Sequence, residues 1–338
     1  MIITKDYIAD KLTKITNTTV NPDDYSFFET NSNLNNIILL GMGGSYAYGT
    51  NILGSDIDLR GIALNNRENI ILGKDFEQVV NTDTDTTIYS LKKMVNLLIN
   101  CNPNTIEIIG LKPDQYIYIS ESGRQLIENA SLFLSKRCIN SFMGYANQQM
   151  YRLQQKSLVA MSKQDFNKHI NKTINSMAIT LENQYNMNGI KFHLDDNDEI
   201  VVDFNINNYS LAELSTVLGI INNTLREYHK NSIRNEKALA HNKINKHAMH
   251  LLRLYMMCED ILLYGQINTY REKEHNLLMD IRNGHYLNED GKPNKEFYDI
   301  VHDYENRINI AKNITILPEF PDMDKINKLI ISIIETVL

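Results

Sequence analysis

The chain has 338 residues, 43% of them hydrophobic, and a net charge of −7. That is ample chain to bury a core, and the acidic balance argues against a protein that coats nucleic acid indiscriminately. No apolar run approaches the roughly 18 residues of a membrane span, and the N-terminal MIITKDYIADKLTKI lacks a signal peptide's apolar stretch. No membrane association and a cytoplasmic location are therefore expected.

Up to residue 120, short apolar runs alternate with turns. Ile37–Leu40 reads as a buried strand and Asp56–Leu64 as a second. Ile70–Leu72 and Phe76–Val80 are short candidate strands, and Leu91–Ile99 has helical periodicity. Beyond residue 120 the pattern turns helical, over Phe133–Leu153, Asn167–Tyr185, Leu211–Tyr228, His247–Leu263, Lys273–Arg282, Glu296–Ile310 and Asp324–Val337. Ile190–Leu194 and Ile200–Phe204 flank a polar turn and read as a β-hairpin. The expected fold class is α+β, with a mixed-sheet domain over residues 1–120 and a mostly helical domain over 121–338 that carries the hairpin near 190–204. Cys101, Cys138 and Cys258 are spaced for neither disulfides nor zinc and read as small buried apolar residues.

The segment from Gly41 to Gly61 carries the chemistry. A buried strand runs into Gly41, Gly43 and Gly44, which let the backbone turn sharply and approach a ligand. Ser45 then opens a short helical stretch, where free N–H groups favour an anion such as phosphate. Eleven residues on comes Asp56-Ile-Asp58. On a strand both carboxylates point to one face. Side by side they repel, and a hard divalent cation with substrate phosphates offsets that repulsion.

Gly44-Ser45 followed by Asp56-x-Asp58 resembles the signature of the polymerase-β nucleotidyltransferase superfamily. More narrowly, Gly-Ser-x-Ala-Tyr-Gly-Thr…Ser-Asp-x-Asp-x-Arg-Gly is similar to predicted nucleotidyltransferases related to the RNA-ligase-associated polymerase-β-like proteins. The segments Asp85-x-x-x-Tyr89-x-x-x-Lys93, Asn102-Pro-Asn-x-x-Glu107 and Ile281-Arg282-x-Gly284 extend the likeness. It covers residues of about 35–155 and 240–290, and implies a polymerase-β-type nucleotidyltransferase domain at the N-terminus.

The resemblance implies that Asp56, Asp58 and a third acid on a neighbouring strand hold two Mg²⁺ ions, a role Mn²⁺ also fits. Asp85 is the choice for the third acid and Asp83, two residues away, is the competitor. Gly44, Ser45 and Tyr46 would grip the terminal phosphates of a nucleoside triphosphate. Arg60 would bind phosphate or balance the carboxylates, and Lys93 would reach the triphosphate. Lys246, His250 and Arg253, at i, i+4 and i+7 of a helix, would contact nucleotide or acceptor. The expected activity moves a nucleoside monophosphate, AMP in the first instance, onto an acceptor hydroxyl or phosphate. An RNA end is the first choice of acceptor, ahead of a protein or a small molecule. The alternatives are an antitoxin-like regulator that nucleotidylylates a protein, and a nucleotide sensor without catalysis.

Overall fold

The computed structural model describes residues 3–158, 191–194, 200–203, 218–219, 243–288 and 291–338. The helix expected over Asn167–Tyr185, all but two residues of that over Leu211–Tyr228, and the polar turn of the hairpin lie outside the described residues. The fold is α+β. In chain order the described elements are α1 (Lys5–Thr16), α2 (Phe27–Thr30), β1 (Ile37–Met42), α3 (Gly44–Tyr48), β2 (Leu59–Ala63), α4 (Arg67–Ile71), β3 (Gln78–Asn81), β4 (Thr86–Ser90), α5 (Leu91–Ile99) and α6 (Pro103–Ile106). They continue with β5 (Tyr116–Ile119), α7 (Glu121–Glu128), α8 (Arg137–Leu158), the hairpin β6 (Lys191–Leu194) and β7 (Ile200–Asp203), α9 (Lys243–Tyr264), α10 (His275–Arg282), α11 (Lys295–Ile314) and α12 (Met323–Ile334).

The chain divides into two compact units, residues 1–149, 249–285 and 295–338 in one and 150–248 with 286–294 in the other. Residue 120, the expected domain boundary, falls inside the first unit. In the second, β6 and β7 pair antiparallel as the sequence pattern indicated. Among the described residues no helix is long and apolar enough to cross a membrane.

The first unit is organised by a five-stranded mixed sheet of order β3-β4-β2-β1-β5. β1 runs antiparallel to β2 and to β5, and β2 runs parallel to β4 with Leu59 opposite Thr86. All six residues of β1 are buried, as expected of a central strand covered on both faces. On one side, Ile8 and Leu12 of α1 and Phe28 of α2 join Leu40, Met42, Leu59 and Ile88 in the main core.

Three local expectations are corrected. Ile70–Leu72 is not a strand: Asn66 caps α4 by accepting from the Asn69 amide, and that helix holds the segment. Strand β2 begins at Leu59, so Asp56 and Asp58 precede it. The short strands β4 and β5, absent from the pattern reading, complete the sheet beside β2 and β1 respectively.

Helix α7 docks tightly on β1. Ser120 caps it by accepting from the Gly123 amide, while the Ser120 amide donates to the Ile38 carbonyl. A Cβ at Gly123 would collide with that carbonyl oxygen. Gly123→Ala is therefore expected to cost about 1–3 kcal/mol, the usual cost of overpacking. Urea unfolding checks it, and unchanged stability would contradict the docking.

Candidate active site

The sheet topology builds the site. Because β2 and β4 are parallel with Leu59 opposite Thr86, Asp58 and Asp85, the residues just before them, emerge side by side at one end of the sheet. Neighbouring strands lie about 4.8 Å apart. The Leu59 amide donates to the Asp85 carbonyl at 3.3 Å, which extends the ladder one step. On the other side of β2 the Gly43 amide donates to the Asp58 carbonyl at 2.7 Å. Three chain segments thus converge on Asp58.

Gly44 is required by this packing. Its φ of +53° lies in the left-handed region, and a Cβ would strike Oδ2 of Asp58. The carboxylate of Asp58 therefore rests on the backbone at the start of α3, the five-residue helix Gly44–Tyr48. Ser45 and Tyr46 follow in that first turn, both half-buried. Gln115 fixes the other end of α3, its Nε2 donating to the carbonyls of Tyr46 and Ala47 at 2.8 and 3.0 Å.

The side chain of Asp58 is 17% exposed and that of Asp85 62%. Burial, then hydrogen bonding and repulsion from Asp85, push the Asp58 carboxyl up to about 7, while Arg60 pulls the other way. Arg60 lies between them, with Nη2 at 3.9 Å from Asp58 Oδ1 and 3.6 Å from Asp85 Oδ1. Its Nη1 is tied down by donating to the carbonyls of Leu59 at 2.9 Å and Asp85 at 2.6 Å. Asp85 itself adopts a φ of +45°, a conformation Asp tolerates better than most residues.

The other sequence-predicted residues distribute unevenly. Asp56 is exposed on the loop before β2, and no group of three or more His, Cys, Asp or Glu among the described residues is gathered to hold a metal ion. Asp58 and Asp85 meet, and Asp56 is not drawn in with them, because the alternation that would align Asp56 with Asp58 operates only within a strand. Asp83 turns away and lines a separate cleft of about 440 Å³ with Asp23 and Asp24. Lys93 is paired with Glu77 at 2.6 Å. Lys246, His250 and Arg253 all lie on α9, where Lys246 is exposed in the second unit. Arg253 is only 7% exposed: its guanidinium carbon stands 3.0 Å from the centroid of the Tyr48 ring and its Nη2 donates to His250 Nδ1 at 2.6 Å. Cys101, Cys138 and Cys258 are free and buried.

The sequence pattern places Glu107 at the end of the Asn102-Pro-Asn-x-x-Glu107 segment and assigns it no catalytic or substrate-binding role. The Tyr48 hydroxyl at the end of α3 donates to its carboxylate, and Thr269 Oγ1 donates to its backbone carbonyl at 2.8 Å. Glu107 thereby links the turn bearing Ser45 to the stretch after α9. A lone acid inside the apolar run Ile106-Glu-Ile-Ile was the signal available in the sequence.

Burial holds the Glu107 carboxyl above its ordinary 4.5, although Arg253, the Tyr48 hydroxyl and Arg60 all oppose that shift. The folded chain then retains a proton that the unfolded chain has released, so this group's contribution to stability falls as pH rises above 4.5. Glu107→Gln removes the titration. Melting curves from acid to neutral pH are expected to show the variant gaining on the wild type as pH rises, whereas parallel curves would contradict this.

Comparison with curated proteins and with solved structures returns no match. Residues 5–171 match the model of the RNA repair pathway DNA polymerase beta family (RlaP). That region contains the turn at Gly44, Asp58, Arg60, Asp85 and Glu107, and over it the chain is similar to that polymerase-β-type family.

Proposed function

We propose that this protein transfers a nucleoside monophosphate from a nucleoside triphosphate, ATP in the first instance, to an RNA end, releasing pyrophosphate. The observation that carries the reading is the convergence of Asp58 and Asp85 beside the Gly44 turn, fixed by the Leu59–Thr86 register. The RNA end follows from the family's place in RNA repair. Residues 1–120 hold these groups, within the first compact unit.

The donor set suits a divalent cation. Two carboxylates crowd together, and burial followed by the proximity of Asp85 raises the proton affinity of Asp58, the situation a hard cation relieves through oxygen ligands. Asp58 and Asp85 would hold it, while Asp56, exposed on the loop before β2, stands outside the pair. Bound there, Mg²⁺ supplies charge neutralisation for the phosphates and activation of the attacking oxygen.

The chain's own residues do the rest. The backbone of Gly44 to Tyr46 and the Ser45 hydroxyl bind the terminal phosphates by donating hydrogen bonds. Asp85, the more exposed carboxylate, accepts the proton of the acceptor hydroxyl as its oxygen attacks the α-phosphorus. The bond from that phosphorus to the bridging oxygen breaks, and pyrophosphate leaves. Arg60, restrained by the Leu59 and Asp85 carbonyls, keeps the carboxylates in register and offsets their charge.

Incubation with α-labelled ATP, Mg²⁺ and oligoribonucleotides tests the reading. Label is expected on RNA. Asp58→Asn and Asp85→Asn are each expected to lower transfer by about 10³-fold or more, the scale of losing a transition-state electrostatic contact, while Asp83→Asn leaves it unchanged. Label on protein alone, or full transfer by Asp58→Asn, would overturn it.

A further inference from the structure

Three arginines of the first unit are buried to similar depth, Arg253, Arg271 and Arg282, at 7, 5 and 8% exposure. Two have partners that suit a buried cation. Arg253 stacks on Tyr48 beside the Glu107 carboxylate. Arg271 pairs with Asp260 and, at 3.2 Å, with Glu274. Arg282 has no acidic partner among the described residues. Among the described residues its one hydrogen bond to a side chain is from Nη2 to Ser55 Oγ at 3.3 Å; its Nε, like those of Arg253 and Arg271, is buried without a hydrogen-bond partner, so the absence of an acid is what sets Arg282 apart.

This is a costly arrangement for a structural residue. Burying a charge carries a penalty of several kcal/mol even after relaxation, which is why buried cations are normally paired. Arg282 ends α10, and a helix C-terminus favours a cation by only about 0.3–1 kcal/mol. One neutral hydroxyl contributes about as little. The missing partner is an anion.

Its position says which anion. Ser55, the hydroxyl that Arg282 holds, directly precedes Asp56 and stands three residues before Asp58. The same Ser55 Oγ accepts from the Ile52 amide at 2.8 Å, so Arg282 is tied to the ordered turn leading into the acid-bearing loop. We propose that Arg282 is a phosphate-binding residue whose counter-ion is a phosphate group of the nucleoside triphosphate. This deepens the proposed function and rests on it. Planar guanidinium donors match phosphate oxygens geometrically, and the ligand-free protein bears the strain of an unpaired charge that substrate relieves.

Titration calorimetry of the full chain with Mg²⁺ and α,β-methylene-ATP, adenosine or inorganic tripolyphosphate tests this, alongside the melting temperature without ligand. Arg282→Met is expected to weaken both triphosphates by about 10–100-fold, the worth of a charged hydrogen bond, and to leave adenosine unaffected. Its ligand-free melting temperature is expected to stay level or rise. Arg282→Lys, retaining a point charge, is expected to recover part of the affinity. Unchanged triphosphate binding in Arg282→Met would overturn the proposal. So would a lower melting temperature with equal losses for adenosine and triphosphates, the mark of a purely structural residue. An effect confined to binding of a 5′-phosphorylated over a 5′-hydroxyl oligoribonucleotide would overturn the assignment to the triphosphate. If the wild type binds triphosphate through Arg282 yet transfers no label, the transfer reading fails while the phosphate site stands.

Discussion

Everything at this site turns on the repulsion between two carboxylates forced together by backbone pairing. Asp58 and Asp85 do not choose each other. They are brought to one sheet end because β2 and β4 are parallel and in register. The ladder continues past both strands, through the Leu59 amide on one side and the Gly43 amide on the other. Burial of Asp58 against the Gly44 backbone then removes the water that would have softened the repulsion.

The surrounding residues read as responses to that constraint. Arg60 spans the two acids and is itself pinned by backbone carbonyls. Glu107 and Tyr48 anchor the far end of α3 from below, so the turn carrying Ser45 is held at both ends. Arg282 braces the loop through Ser55 while leaving a buried positive charge without an acidic partner among the described residues. Paired carboxylates and an unpaired buried cation in the same unit suit a metal–phosphate substrate, in which both signs occur together.

Part of this was legible in the sequence. Glycines after a buried apolar run announced the turn, and the short interval from that turn to Asp58 is visible in the same segment. What failed was phase. Reading Asp56–Leu64 as one strand placed Asp56 beside Asp58, but pairing starts at Leu59. The adjacency of Asp58 and Asp85 depends on a non-local parallel register, which no local pattern encodes. Lys246, His250 and Arg253 were rightly set on one helix, yet periodicity cannot say that Arg253 is buried beneath an aromatic ring rather than open to a ligand. Ile70–Leu72 looked like a strand until the cap at Asn66 committed it to a helix.

The central claim, that the paired acids create a divalent cation site, is tested most directly by Mn²⁺ binding followed by electron paramagnetic resonance in the presence of a non-hydrolysable triphosphate. The account predicts stoichiometric Mn²⁺ capture by the wild-type chain and its loss when both acids are changed together, Asp58→Asn with Asp85→Asn. Equal capture by that double variant would contradict it.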